Sequence, residues 1–341
     1  MRAWMVMATA MLVGVGVPGS DRVVPLPVYA AEQAADQAAK VLADMRKALG
    51  GSKVEQAKAI TLEGPFRRQM GDRQMEGTIA LTLQGPDRMH KSEDNEFPGG
   101  MSVERIQVLA GDSAWTDVQN RGGMGGGMQI VMRNGPPGSP NLDPAEMEKR
   151  LATQFRAEMQ RWMLTLLATP AGEVTYVGVA ESPDGKADTL EMKDARGQTL
   201  RLFVDQETHL PLMLAYSEVR PRMMMMGGPG GRRGPGGRGP GGGPGGPPPA
   251  AGGAPGGQPG APGGEPGQRP SPEEMRRRME SMPPPAPSAM QMTFAEYDSV
   301  DGVKLPRRVN VSVDGQPTEE WTIEKIKVNP SIKADLFEKK Q

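Results

Sequence analysis

Four consecutive thioethers, Met223 to Met226, are the residues of this chain with the most distinctive chemistry, because soft sulfur ligands suit Cu(I). Met124, Met128, Met275, Met279 and Met282 lie in similar surroundings and extend a copper-binding reading. No histidine or cysteine stands beside any of them, so copper is kept as a secondary reading and no metal ligand is assigned. His90 and His209 are the only histidines, one in the polar strand "RMHKSED" and one in the turn "ETHLP", and each reads as a surface side chain. Cysteine is absent, which removes disulfides, thiol nucleophiles and thiolate metal sites together. The sequence contains no G-x-S-x-G, no H-E-x-x-H and no phosphate-cradling G-x-x-x-x-G-K. With no convergent acid, base or nucleophile, the chain reads as a non-enzyme that uses no cofactor.

Apolar binding remains, and it asks for a greasy concavity with few polar groups. The candidate lining is Phe66, Ile79, Leu81, Trp115, Phe294, Val311 and Trp321 from strands, with Trp162 and Leu166 from a long helix. Aromatics make up 4% of the chain, whereas methionine reaches 26 residues, and flexible thioethers adapt to irregular apolar shapes. An acyl chain gains about 0.8 kcal/mol for each CH2 taken out of water, so such a pocket is expected to lack a charged constellation. The balance of 40 basic against 41 acidic side chains offers no field to collect nucleic acid. The arginine-glycine run "GGRRGPGGRGPGG" has no interleaved aromatics on which bases could stack.

Several elements must position that lining. "AEQAADQAAKVLADMRKALGG" places Ala34, Ala38, Val41, Met45 and Leu49 at helical spacing ahead of Gly50 and Gly51, where a C-cap belongs. From Ala59 the period becomes two, and "ITLEGPFRRQM" and "QMEGTIALTLQG" flank a hairpin turn at Gly71-Asp72-Arg73. "RMHKSED", "SVERIQVLAG" and "SAWTDVQ" continue as short strands of an antiparallel meander. "NLDPAEMEKRLATQFRAEMQRWMLTLLATP" is the strongest helix, with Asp143 as N-cap, Pro144 at the first position, Glu146 as capping-box partner and Pro170 as the stop. Strands resume from "EVTYVGVAES" to "LPLMLAYSEV", and three more follow from "AMQMTFAEYDSV" onward.

Between these two sets lies a tract in which 33 of the 44 residues from Gly227 to Pro270 are Gly or Pro, too poor in apolar surface to offset the entropy of ordering. Because a long loop between paired strands costs only logarithmically more than a short one, one sheet can continue across it. Residues 222–288 are therefore expected to be a disordered insertion and 121–140 a Gly/Pro-rich loop. Residues 31–221 with 289–341 are expected to form a single domain. "MRAWMVMATAMLVGVGV" carries an apolar run too short to span a bilayer, and "VYA" at Val28 to Ala30 supplies the small residues before a cut. Residues 1–30 read as an export signal, with an uncleaved anchor as the alternative.

The chain resembles the LolA/LolB-like periplasmic lipoprotein carriers, the outer-membrane lipoprotein-sorting proteins. The likeness lies in the export signal, the N-terminal helix, "FRRQM...MEGTIALTLQGPDRMHKSE", "LAGDSAWTDVQ", "LFVDQETHLPLML" and the closing "VNPSIKADLFEKK". The resemblance implies an α+β fold: a strongly curved antiparallel sheet, an open half-barrel of about eleven strands, with an N-terminal helix and a lid helix from about Pro144 to Thr169. It implies noncatalytic carriage of a lipid or of the acyl chain of a lipoprotein in the periplasm, by a monomer that keeps no membrane span after signal cleavage. The two inserts depart from the family pattern, and its lid-latching arginine has no assigned position here. The alternative is a protein-interaction or envelope-sensor protein on the same fold, with envelope proteins as partners.

Overall fold

The computed structural model describes residues 28–71, 73–97, 101–121, 143–183, 185–219 and 286–339. All the methionines considered for copper lie outside the described residues, as does most of the signal expected at 1–30, of the loop expected at 121–140 and of the insertion expected at 222–288; of those stretches residues 28–30 are helical, and 121 and 288 belong to strands.

Helix α1 (Val28–Leu49) turns its Ala38, Val41, Leu42, Met45 and Leu49 stripe inward, as the helical spacing requires. It stops at Gly50 and Gly51, both at positive φ (139° and 58°), where the amides of both glycines bond back to the carbonyl of Arg46. A side chain at Gly50 would collide with the carbonyl oxygen of Gly302 in a strand turn, so packing as well as φ demands glycine. A single turn, α2 (Ser52–Gln56), leads into the sheet.

Thirteen strands form one antiparallel sheet among the described residues, with two free edges, so the α+β half-barrel is open. The first meander is β1 (Ala59–Met70), β2 (Arg73–Gln84), β3 (Arg88–Phe97), β4 (Met101–Ala110) and β5 (Ser113–Arg121). Helix α3 (Pro144–Leu167) follows. The second meander is β6 (Thr175–Ser182), β7 (Gly185–Lys193), β8 (Thr199–Asp205), β9 (Pro211–Glu218), β10 (Ser288–Val300), β11 (Val303–Val313) and β12 (Gln316–Thr322). The short β13 (Lys325–Val328) completes the sheet.

Strand order runs β5-β4-β3-β2-β1-β12-β11-β10-β9-β8-β7-β6. Strands β9 and β10 are neighbours, with Glu218 opposite Ser288. The count exceeds the expected eleven partly because the last hairpin splits. The twelve residues of β1 are long enough to pair β12 with one half (Phe66 opposite Trp321) and β13 with the other (Ile60 opposite Val328).

Period-two alternation gives the sheet an inner face, where Ile60, Leu62 and Phe66 of β1 lie beside Leu83, Leu81 and Ile79 of β2. Leu190, Leu202, Leu214 and Met292 continue this face through the second meander. Helices α1 and α3 cover it. A short 3-10 helix, Ala334–Phe337, packs on the opposite face against β3 and β4.

Candidate functional site

Helix α3 starts as its sequence dictates: the Asp143 carboxylate accepts from the Ala145 amide (3.2 Å), and Pro144 takes the first position. Glu146 does not close a capping box; its carboxylate accepts from Arg150 Nε instead (3.4 Å). The helix ends on Ala168 in the left-handed region (φ 49°), ahead of Pro170. Its first turns are exposed, but from Arg161 nearly every residue is buried, so its second half is a plug driven into the hollow of the sheet.

At the centre of the plug Trp162, 2% exposed, stacks on Trp321 with ring centroids 5.1 Å apart and meets Phe294 edge-on at 6.5 Å. Phe66, Ile79, Leu81 and Leu166 belong to the same core, and Val311 packs half-buried against it. Eight of the nine candidate lining residues are thus brought together on one side of the sheet. Trp115 is not among them. The tight turn at Gly111-Asp112 sets Ala110 opposite Ser113, which puts Ala114 inward beside Leu109 and Trp115 outward beside Val108.

The inner face also holds charge, contrary to the expectation of a lining without a charged constellation. Arg68 donates to both oxygens of Glu319 (2.7 and 3.1 Å) and to Glu93 Oε2 (3.1 Å). Lys91 Nζ sits 3.0 Å from Glu93 Oε1 and 2.9 Å from Glu158 Oε1 on α3. It also stands 5.6 Å from the centre of the Trp321 ring. Burial works to raise the Glu93 carboxyl, but Lys91 and Arg68 more than reverse this and hold it at about 2, against 4.5 ordinarily. Burial likewise works to lower the Lys91 ammonium, and Glu158, Glu93 and Glu319 outweigh it, so Lys91 stays charged above its ordinary range.

Further polar contacts fix the helix at both sides of the hollow. Arg156 donates to Gly111 O and Asp112 Oδ1 (both 2.9 Å) in the β4–β5 turn. Gln160 Oε1 accepts from the Ala195 amide (2.7 Å) in the β7–β8 turn. Arg161 lies 3.6 Å from Asp194 with its guanidinium over the Tyr216 ring. Sequence reading missed Arg68, Lys91, Glu93, Glu158 and Glu319. The available signal was the inward row Met89, Lys91, Glu93, Asn95 of β3, in which polar residues occupy positions that the strand period assigns to the core.

A pH prediction follows from Glu93. Its folded pKa lies below its unfolded one, so its contribution to stability is complete above about pH 4.5 and is lost as pH falls toward about 2. Acid titration followed by far-ultraviolet circular dichroism is expected to show that loss, and Glu93→Gln to shallow it.

A cleft of about 550 Å³ opens where the C-terminal end of α3 meets α1, α2 and the β2–β3 turn. Val54, Ala57, Pro86, Met163 and Leu167 line it, and Arg46, Glu55 and Lys58 stand at its rim. Arg46 also donates to the carbonyl of Ala168, the cap of α3 (3.2 Å). Among the described residues, no helix is long and apolar enough to cross a membrane, and no three His, Cys, Asp or Glu side chains are grouped to hold a metal ion.

No family model matches the chain, and no curated protein matches it in sequence. Solved structures similar to it include a LolA superfamily protein from Nitrosomonas europaea, at 8% identity over 89% of this chain and 97% of that one, with a TM-score of 0.41. A DUF1329 family protein from Desulfovibrio piger is similar at 9% identity over the same shares, with a TM-score of 0.40.

Proposed function

We propose that this is a noncatalytic binder and carrier of a lipid, or of the acyl chain of a lipoprotein, acting in the periplasm after export. The observation that carries this reading is the cleft at the C-terminal end of α3. It is apolar within, carries two bases against one acid at its rim, and borders the core that the plug fills. Its volume falls in the range of about 300–1,000 Å³ usual for ligand sites. An acyl chain enters between Met163 and Val54 while Arg46 and Lys58 meet an anionic headgroup; deeper insertion moves the second half of α3 off the sheet. In this reading the six strand candidates on the inner face, Trp321 foremost, line the hollow once the helix has moved, and Trp162 and Leu166 face it from the displaced helix. Trp115 takes no part.

A second reading, protein interaction on the same fold, is favoured by edge strand β6, where Val177 and Val179 are 54% and 47% exposed beside an edge that no other described strand pairs. Titration of the delipidated full chain with cis-parinaric acid separates the two. Saturable binding that palmitate competes away and Met163→Glu weakens at least threefold supports the carrier. Absence of binding up to the solubility limit of the probe overturns it.

A further inference from the structure

The opposite face of the first meander carries a groove unrelated to the plug. The strand registers align Lys327, Thr61, Thr82, His90, Val108 and Trp115 in one row across β13, β1, β2, β3, β4 and β5. A second row places Ile106 opposite Asp117, and Gln119 follows two residues along β5. The C-terminal segment from Pro330 onward arches over this floor. It is pinned where Phe337 buries its ring and Arg88 stacks on it at 5.7 Å. Between floor and arch lies a cavity of about 620 Å³ that opens to solvent.

We infer that this groove binds a neutral oligosaccharide, with Trp115 as the platform for a sugar ring. Trp115 is the one candidate lining residue that borders this groove, half-buried beside Val108 on the neighbouring strand, with Ile106 also lining the groove. The C–H face of a pyranose carries partial positive charge and sits on the negative face of an aromatic ring, whereas its hydroxyls need donors and acceptors around the rim. The rim supplies both. The Asp117 carboxylate accepts from Gln119 (2.8 Å) and keeps lone pairs for more, and the Thr61 and Thr82 hydroxyls lie 3.2 Å apart with either able to donate. Glu63, Asp117, Asp335 and Glu338 face Lys327, Lys333 and Lys339 around the cavity, so the two signs nearly balance, with one acid in excess. Neither sign is strongly in excess, so an anionic ligand gains no net attraction there, and a row of hydroxyls and amides disfavours an acyl chain. The length of the row, six strands and so five spacings of about 4.8 Å, suits several sugar units rather than one.

The full purified chain is titrated calorimetrically with maltotetraose, cellotetraose and tetra-N-acetylchitotetraose, together with palmitate. The expected result is binding of at least one tetrasaccharide. Trp115→Ala weakens it tenfold or more, Trp115→Phe restores most of it, and Met163→Glu in the distant cleft leaves it unchanged. Failure of all three sugars at 10 mM overturns the inference, as does binding that Trp115→Ala leaves intact or a palmitate response that depends on Trp115. Because acyl binding is read through Met163 and sugar binding through Trp115, either site can fail without the other.

Discussion

Trp162→Ala is expected to unfold at a temperature lower by on the order of 10 °C. Truncating a buried tryptophan removes about 3–5 kcal/mol, and each kcal/mol shifts the midpoint of a domain of this size by about 2–4 °C. Trp162 sits at the upper end because its ring contributes a stack on Trp321 and an edge contact to Phe294 beyond its burial. Trp162→Phe keeps part of both and is expected to recover about half the loss. Thermal unfolding by circular dichroism reads the effect, and a shift below 2 °C would mean that α3 does not seat in the sheet as described. In a carrier, the same alanine variant also takes up more cis-parinaric acid than the parent, because the hollow has lost its largest filling.

Lys91→Met is expected to cost a similar amount, by a different route. Removing one partner of a buried ion pair leaves the other charged and unpaired, a loss of about 3–5 kcal/mol. Here both Glu93 and Glu158 lose Lys91 at once, and Glu93 retains only Arg68. The sign of the pH response separates this from simple loss of packing. In the parent Lys91 holds Glu158 low against burial; without it, burial dominates and the Glu158 carboxyl rises above its unfolded value. A raised folded pKa contributes stability at low pH that is lost as pH rises through it. The variant therefore gains stability relative to the parent as pH falls from 7 toward 5. Adding Glu158→Gln is expected to recover part of the loss, with a coupling of about 0.5–3 kcal/mol in the double-mutant cycle. Additive losses would show that the two side chains do not act as a pair.

What the sequence revealed and what it hid follow from how locally each feature is encoded. Both long helices were legible because cap, stripe and stop lie within one segment: Asp143, Phe155 to Leu166 and Pro170 for α3, and Gly50 and Gly51 for α1. The hairpin joining β1 and β2 was legible for the same reason. The inward charges were not, because Arg68, Lys91, Glu158 and Glu319 come from four segments, and each alone reads as a solvated side chain. Trp115 was assigned to the wrong face because β4 is apolar on both sides, with Leu109 inward and Ile106 and Val108 outward. The outward pair is apolar because the segment around Phe337 covers it, more than two hundred residues later in the chain. No local pattern announces a cover so distant.

The order of strands bears on how the chain is made. Apart from β9 and β10, which pair across residues 219–287, neighbouring strands within each meander follow one another closely, but the two meanders are joined through β1 and its late partners β12 and β13. As the polypeptide emerges from a ribosome or translocon, the open side of β1 has no native mate until residues 316–328 arrive. Until then this ribbon, Ile60 and Phe66 included, is exposed to mispairing with a neighbouring copy. The interval closes only when residues 316–328 have emerged, so a chain truncated before Gln316 keeps β1 adhesive for as long as it survives.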